Sequence, residues 1–264
     1  METIERSALS RKDAPPRREL AIEIGQIPLH LKFADSAHLE KASARYRVFS
    51  GSREKGLPIW VDSRQNPQSK DSTFSYTLNS ATVDLRKDGA QFSGVPHEYS
   101  LDSLIRILLS KMLLTRSGFL LHAATVMRDG QAHIFTGQSG AGKSTVASLS
   151  PIGSVLTDEI SLLRNLDNSW QAFGTPFWGE FHAGDLNERA PIAGIYSLIQ
   201  AKEDRVERLS TRDALRAILP NILFFSSKQE DNAQLLTILT QALQAIPVYQ
   251  LYFQRHAEFW EVLK

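Results

Sequence analysis

The chain has 264 residues, a formal net charge of +1 and no cysteine. The near-neutral charge excludes a general electrostatic role on nucleic acid or on a membrane surface. The absence of cysteine excludes disulfides, thiolate zinc sites and cysteine catalysis. The first 20 residues mix both charge signs and contain no apolar core, so we expect no signal peptide, no membrane partner and a cytoplasmic protein.

The N-terminal part predicts a polar segment followed by a β-rich lobe. Residues 1–18 are polar and end in two prolines and two arginines, which is typical of a flexible segment. Between residues 19 and 99, short alternating apolar runs predict strands, and a loop rich in Ser, Gly and Pro lies within 51–72. The strands are predicted at 20–24, 27–33, 59–61, 74–78 and 82–85. No pattern in this lobe points to catalysis.

Residues 100–264 predict a second domain in which helices and strands alternate. Apolar residues recur at helical spacing over 100–115, which predicts a helix packed on the core. A buried strand over 119–126 then turns at Asp129 and Gly130 into a strand over 133–136. The remaining segments favour strands at 191–200 and 248–253, helices at 210–219 and 231–245, and a short helix around Phe259 and Trp260.

Residues 137–144 carry the complete G-x-x-x-x-G-K-[ST] pattern of a phosphate-binding loop. By average composition, this pattern arises by chance in about 1% of chains of this length. The preceding strand and a following helix over 144–149 provide the order that the loop requires. Lys143 supplies a positive charge for the phosphates, and the Ser144 hydroxyl can ligate Mg²⁺. The predicted residues for binding ATP are Gly137, Gln138, Ser139, Gly140, Ala141, Gly142, Lys143, Ser144 and Thr145.

Two acidic residues, Asp158 and Glu159, end the next apolar run, where α/β proteins place ligand groups. Phosphoryl transfer needs a carboxylate for the acceptor hydroxyl or for the metal. Asp158 is therefore predicted as the base or a metal ligand, with Glu159 in the complementary role; a solvent-facing acid pair is the alternative. Both side chains reach one site only if the chain turns there, because neighbours on a strand point to opposite faces.

Three further features have two interpretations each. His122 lies inside an apolar strand and is either a core histidine or a functional one. Residues 174–180 combine aromatic residues, proline and glycine, and form either a wedge that packs the lobes or a flap over the site. The last feature is a set of arginines that either bind phosphate or lie on the surface: Arg189, Arg205 and Arg208.

With the His-Ala-Ala sequence at 122–124, the loop at 137–144 and Leu-Thr-Asp-Glu at 156–159, the chain resembles the HPr kinase/phosphorylase superfamily. It is most similar to the HPr-serine-kinase-like branch, over about residues 118–210. The resemblance implies an α/β (α+β) fold of the PEP-carboxykinase-like P-loop type. It also implies an ATP- and Mg²⁺-dependent kinase that phosphorylates a serine hydroxyl on a protein or peptide. A homo-oligomer is compatible with it.

The resemblance assigns roles to individual residues. Asp158 aligns with the catalytic aspartate, Glu159 with the second acid, and His122 with a histidine close to the phosphate site. The predicted catalytic residues are thus Asp158, Lys143 and His122. The predicted metal ligands are Ser144, Asp158 and Glu159.

The chain also departs from the HPr enzymes. Thr145 and Val146 replace a Glu-Thr pair after the loop, and residues 174–180 stand in place of a glycine-rich signature tied to phosphorolysis. These departures argue against HPr as acceptor and against a phosphorylase reaction. The alternatives are a kinase for a small molecule such as free serine and a non-catalytic ATP-binding adaptor. The intact Lys143, Ser144 and Asp158 favour catalysis.

Overall fold

The computed structural model describes residues 18–52, 54, 56–64, 71–95, 98–151, 153–179 and 186–263. Apart from Arg18, the predicted flexible segment lies outside the described residues, as does Glu180. The helix-and-sheet mixture expected from the sequence is confirmed: helices pack on two mixed sheets.

The first sheet is built, within the described residues, from six strands in the order β1-β2-β3-β6-β5-β4. Its strands form where apolar and polar residues alternate, as in β2, where every second residue is buried. The five predicted strands are confirmed, and a sixth, β6, was not predicted. The strands are β1 (Glu19–Ile24), β2 (Ile27–Phe33), β3 (Leu57–Val61), β4 (Phe74–Leu78), β5 (Ala81–Leu85) and β6 (Ala90–Ser93).

A helix that the sequence analysis missed, α1 (Ser36–Arg45), follows β2. Asp35 caps its N-terminus by accepting a hydrogen bond from the His38 backbone N–H at 3.0 Å. Ala42 is the buried residue of the helix, so no apolar stripe marks it in the sequence. A short 3₁₀ helix (Arg47–Phe49) continues the chain and buries Phe49.

The second sheet, as far as the described residues show, has nine strands, with β11-β10-β7-β8-β12-β15-β13 as its main path. The strands β9 and β14 also pair with β7, and β11 pairs with β12. Strands β10, β11, β12, β8 and β7 therefore form a closed ring. The strands are β7 (Gly118–Arg128), β8 (Gln131–Thr136), β9 (Val155–Thr157), β10 (Ile160–Leu166), β11 (Ser169–Phe173), β12 (Arg189–Gln200), β13 (Arg205–Arg208), β14 (Ile222–Leu223) and β15 (Val248–Phe253).

The remaining helices agree with the sequence analysis. Ser210 caps α4 by accepting a hydrogen bond from the Asp213 backbone N–H at 3.2 Å. No helix in the described ranges is long and apolar enough to cross a bilayer. The helices are α2 (Glu98–Leu114), α3 (Lys143–Ser148), α4 (Thr211–Ile218) and α5 (Gln229–Ala245), with 3₁₀ helices at Leu219–Asn221 and Ala257–Val262.

One hydrophobic cluster joins the two sheets through α2. It contains apolar residues of the first sheet, the stripe of α2, and Leu120, Ile160, Leu162, Phe173 and Phe177 from the second part of the chain. The stripe predicted on α2 is confirmed as core, because Leu104, Ile105 and Leu108 have no exposed surface. Helix α2 packs against β4 and β5 of the first sheet and against β7 and β14 of the second, while α1 packs on β1, β2 and α2. The division at residues 99 and 100 stays a prediction.

An ion pair ties α2 to α5. Lys111 Nζ lies 2.6 Å from both carboxylate oxygens of Asp231, which is 6% exposed. Lys111→Met leaves this buried carboxylate without its charged donor, so we expect a loss of about 2 kcal/mol in the free energy of unfolding. Urea denaturation measures it. The exposed Lys202→Met is the control, and an equal loss in both variants would contradict the assignment.

Candidate functional site

The phosphate-binding loop and the acid pair lie at one edge of the second sheet. Strand β7 pairs with β8 at Ala123–Thr136 and with β9 at Thr125–Thr157. Both neighbours run antiparallel to β7, so their carboxyl ends point to the same edge. Two strand spacings of about 4.8 Å place these ends about 10 Å apart. The loop follows one end and the acids follow the other, so pairing with β7 brings the two predicted motifs together.

The loop has the backbone that its glycines allow. Gly142 precedes α3 with φ +117°, a conformation that side chains with a Cβ rarely adopt. A Cβ on Gly142 would lie 2.4 Å from Cζ of Phe253, which is itself buried. Gln200 Nε2 donates to the Gly140 carbonyl at 2.7 Å and ties the exposed loop to the end of β12. The loop is thus shaped by local backbone conformation and by contacts with β12 and β15.

Gly142→Ala tests this packing. We expect it to weaken ATP binding at least tenfold, because the new methyl group collides with Phe253 and strains φ, which displaces the loop. Isothermal titration with ATP measures the affinity. Gly130→Ala is the matched control, since Gly130 also has a positive φ of +75° but nothing lies within 4 Å of its Cβ position. Equal affinities in the two variants would show that the loop tolerates the contact.

Lys143 is 8% exposed and folds back on the loop. Its Nζ donates to the carbonyl oxygens of Gly137 at 2.9 Å and Gln138 at 3.3 Å. Burial lowers the pKa of Lys143, while the negative charge of Glu159 acts in the opposite direction. The ammonium group therefore feels the negative charge of Glu159 across β7.

His122 lies on β7 between the two motifs. Its partner in the sheet is Ile160, and its carbonyl accepts a hydrogen bond from Thr136 Oγ1 at 3.0 Å. Burial lowers the pKa of His122 below 6.5, and the positive charges of Lys143 and Arg106 lower it further. The imidazole is therefore mostly neutral at pH 7. The position agrees with what the resemblance implies, and the catalytic role stays a prediction.

The chain turns at Asp158 and Glu159, between β9 and β10, so the condition for both acids to serve one site is met. Asp158 is 4% exposed, and its Oδ1 accepts the Gly179 backbone N–H at 2.8 Å. Glu159 Oε2 lies 3.2 Å from Arg106 Nη2. Burial raises the pKa of Glu159; Arg106 lowers it and the charge of Asp158 raises it. The two acids therefore occupy different environments.

The segment after β11 packs between the lobes and contacts the acid pair, while its role as a flap stays a prediction. Phe177 has no exposed surface and belongs to the hydrophobic cluster that joins the sheets, as a wedge would. Thr157 Oγ1 donates to the Phe177 carbonyl at 3.3 Å, and Gly179 binds Asp158, as a part of the site would. This contact orients the Asp158 carboxylate through a backbone donor.

The predicted metal ligands fit Mg²⁺ only together with nucleotide phosphates. Among the described residues, no group of three or more acidic or histidine side chains could hold a metal ion. Ser144 and Asp158 offer the oxygen ligands that Mg²⁺ prefers, and such sites commonly use one or two carboxylates with phosphates and water. Glu159 is engaged by Arg106 and would ligate a metal only after that ion pair opens.

Two clefts adjoin the shared edge. A cleft of 500 Å³ on the β12 side is lined by residues 137–141, by residues 197–200 at the end of β12, and by Arg216, Ala217, Pro220, Asn221 and Gln250. A second cleft of 430 Å³ lies beside the acid pair, between α1, α2 and the segment after β11. We call it the α1–α2 cleft. Its lining residues are Arg45, Tyr99, Asp102, Ser103, Arg106, Glu159, Trp178 and Gly179.

The arginine at the acid pair is Arg106, which the sequence analysis did not select. Of the three arginines it considered, Arg205 stacks on Tyr252 at 3.6 Å and Arg189 lines another cleft. Arg208 lies in β13, opposite Tyr249. A signal for the α1–α2 cleft existed in the sequence: Asp102 interrupts the apolar run of α2, and a buried acid needs a partner.

Fold and site together define a mixed α+β protein with a P-loop-type glycine loop at a sheet edge. The chain belongs to the ScmC family, because the family model described as SynChlorMet cassette protein ScmC matches residues 99–264. Among solved structures, it is similar to the Hpr(Ser) kinase/phosphatase from Coxiella burnetii. That likeness has 13% identity and a TM-score of 0.28, over 46% of this chain and 87% of that one. It is a distant link and carries no argument about activity. A search of curated proteins finds no match.

Proposed function

We propose that the chain is an ATP-dependent kinase that phosphorylates a serine hydroxyl on a protein or peptide other than HPr. The observation that carries the proposal is that β8, which leads into the glycine loop, and β9, which leads into the buried Asp158, end at one sheet edge about 10 Å apart across β7. Phosphoryl transfer needs this pair of elements, one for the donor phosphates and one for the acceptor hydroxyl. We also propose the PEP-carboxykinase-like P-loop fold as the scaffold.

In the proposed reaction, Lys143 exchanges its two loop carbonyls for oxygens of the β- and γ-phosphates. The loop amides hold the same phosphates, and the 500 Å³ cleft on the β12 side accommodates the nucleoside. Asp158 takes the proton of the acceptor hydroxyl, and the oxygen of that hydroxyl attacks the γ-phosphorus. The bond from the γ-phosphorus to the bridging oxygen breaks, and ADP leaves with the electron pair.

Two other predicted residues have supporting roles. Ser144 and Asp158 would hold Mg²⁺, which neutralises phosphate charge when bound. His122 would donate or accept a hydrogen bond near the phosphates. The Gly179 backbone N–H keeps the Asp158 carboxylate oriented toward the edge that both motifs share.

Transfer from γ-labelled ATP tests the proposal against the two alternatives. The protein is incubated with Mg²⁺, labelled ATP and three kinds of acceptor: protein fractions, serine-containing peptides and free serine. We expect label on a protein or peptide serine. Label on free serine alone would favour the small-molecule kinase, and tight ATP binding without transfer to any acceptor would favour the adaptor.

A further inference from the structure

We propose that the α1–α2 cleft binds the acceptor, and that the acceptor is an uncharged peptide segment with an aromatic or large apolar residue next to the phosphorylated serine. This inference rests on the proposed function for the identity of the reaction. It gives the N-terminal lobe, in which the sequence shows no catalytic pattern, a part in substrate selection.

The cleft continues directly from the acid pair. Glu159 and Gly179 line it, and Gly179 is also the residue whose N–H binds Asp158. A hydroxyl placed at Asp158 therefore leaves the rest of the acceptor in this cleft. Its volume of 430 Å³ lies in the range of about 300–1,000 Å³ that holds compact ligands, so it suits a short segment and not a folded domain.

Charges in the cleft are paired within the protein. Arg45 forms an ion pair with Asp102, which also accepts a hydrogen bond from Tyr46, and Arg106 forms an ion pair with Glu159. Two positive and two negative side chains leave the lining formally neutral. An anionic acceptor would have to compete with the buried Asp102 and the half-buried Glu159 for the two arginines, so an uncharged segment fits better.

Aromatic rings provide the contact surface. Tyr99 stands at the cleft with 64% of its surface exposed, 5.9 Å from the Arg45 guanidinium, and the Trp178 ring lies 4.4 Å from that guanidinium. The exposed ring of Tyr99 and the half-buried ring of Trp178 favour aromatic or apolar partners. Nε of Arg45 and of Arg106 has no hydrogen-bond partner among the described residues. A peptide carbonyl reaching these groups after a small side-chain rotation would satisfy them.

Three dipeptide probes test the cleft: N-acetyl-Phe-Ser-amide, N-acetyl-Gly-Ser-amide and N-acetyl-Asp-Ser-amide. Their affinities are measured by NMR titration with a non-hydrolysable ATP analogue present. We expect the Phe probe to bind about fivefold to tenfold more tightly than the other two. Tyr99→Ala should reduce this preference to within twofold, and Tyr99→Phe should retain it.

The control is Leu236→Ala, which removes another exposed apolar side chain, on α5, and should keep the full preference. Equal affinities for the three probes, no binding of any probe, or a preference that survives Tyr99→Ala would overturn the proposal. Binding of the ATP analogue is measured on the same samples. If the analogue fails to bind while the Phe preference holds, the proposed function fails and the cleft assignment stands.

Discussion

Asp158→Asn should lower the rate of phosphoryl transfer about 10³-fold, while the affinity for ATP measured without Mg²⁺ changes less than threefold. A carboxylate can take the acceptor proton and an amide cannot, and a positioned base contributes about 10²–10⁴-fold. The asparagine keeps the shape of the side chain and an oxygen that can still accept the Gly179 N–H. Initial rates of label transfer and titration with ATP measure the two quantities separately.

Asp84→Asn is the matched control for this substitution. Asp84 is 3% exposed and accepts a hydrogen bond from Ser72 Oγ at 3.2 Å, so it is also a buried, bonded aspartate, but it lies in the first sheet. Its replacement should leave transfer unchanged. A rate within tenfold of wild type for Asp158→Asn would remove Asp158 from the role of base.

Lys143→Met should lower transfer about 10²–10³-fold and weaken ATP binding as well. The ammonium group is the buried positive charge of the loop, and removing one preorganised charge from a transferring phosphoryl group has an effect of this size. Methionine is similar in length to lysine and retains the apolar packing of the Lys143 alkyl chain. The same transfer assay and titration apply.

A loss of loop structure must be separated from the loss of charge in this variant. Lys143 also holds the Gly137 and Gln138 carbonyls, so the melting temperature is measured beside activity. Lys87→Met, at an exposed turn of the first sheet, is the control. An active variant that binds ATP normally would show that the loop does not hold phosphates through this lysine.

Elements with a strong local pattern were predictable. The stripe on α2 and the alternating strands are confirmed, because apolar residues at period 3.6 or 2 have one efficient way to be buried. Helix α1 was not predicted, because its buried surface is essentially one alanine and its start depends on the Asp35 cap. Strand β6 was missed for a related reason: four residues are too few to show a period.

In the candidate site, too, features with a local pattern could be predicted from the sequence and long-range contacts could not. The glycine loop is a continuous segment whose conformation follows from its own glycines. Its position between a strand and a helix could therefore be predicted from the sequence. Asp158 and Glu159 could be selected from the sequence because they end an apolar run. The pairing of Glu159 with Arg106, 53 residues apart in sequence, was not.

The glycine-loop pattern, the acid pair and the mixture of helices and strands were predictable from the sequence, because each follows from residues that are neighbours in the chain. The position of the loop and the acids at one edge depends on the pairing of β7 with β8 and β9, which is seen in the folded chain. The folded chain also brings Arg45 of the N-terminal lobe to Trp178, with the guanidinium carbon 4.4 Å from the centre of the Trp178 ring. The physical reason is that burial of one apolar cluster, shared by both sheets and α2, fixes contacts that no local pattern encodes.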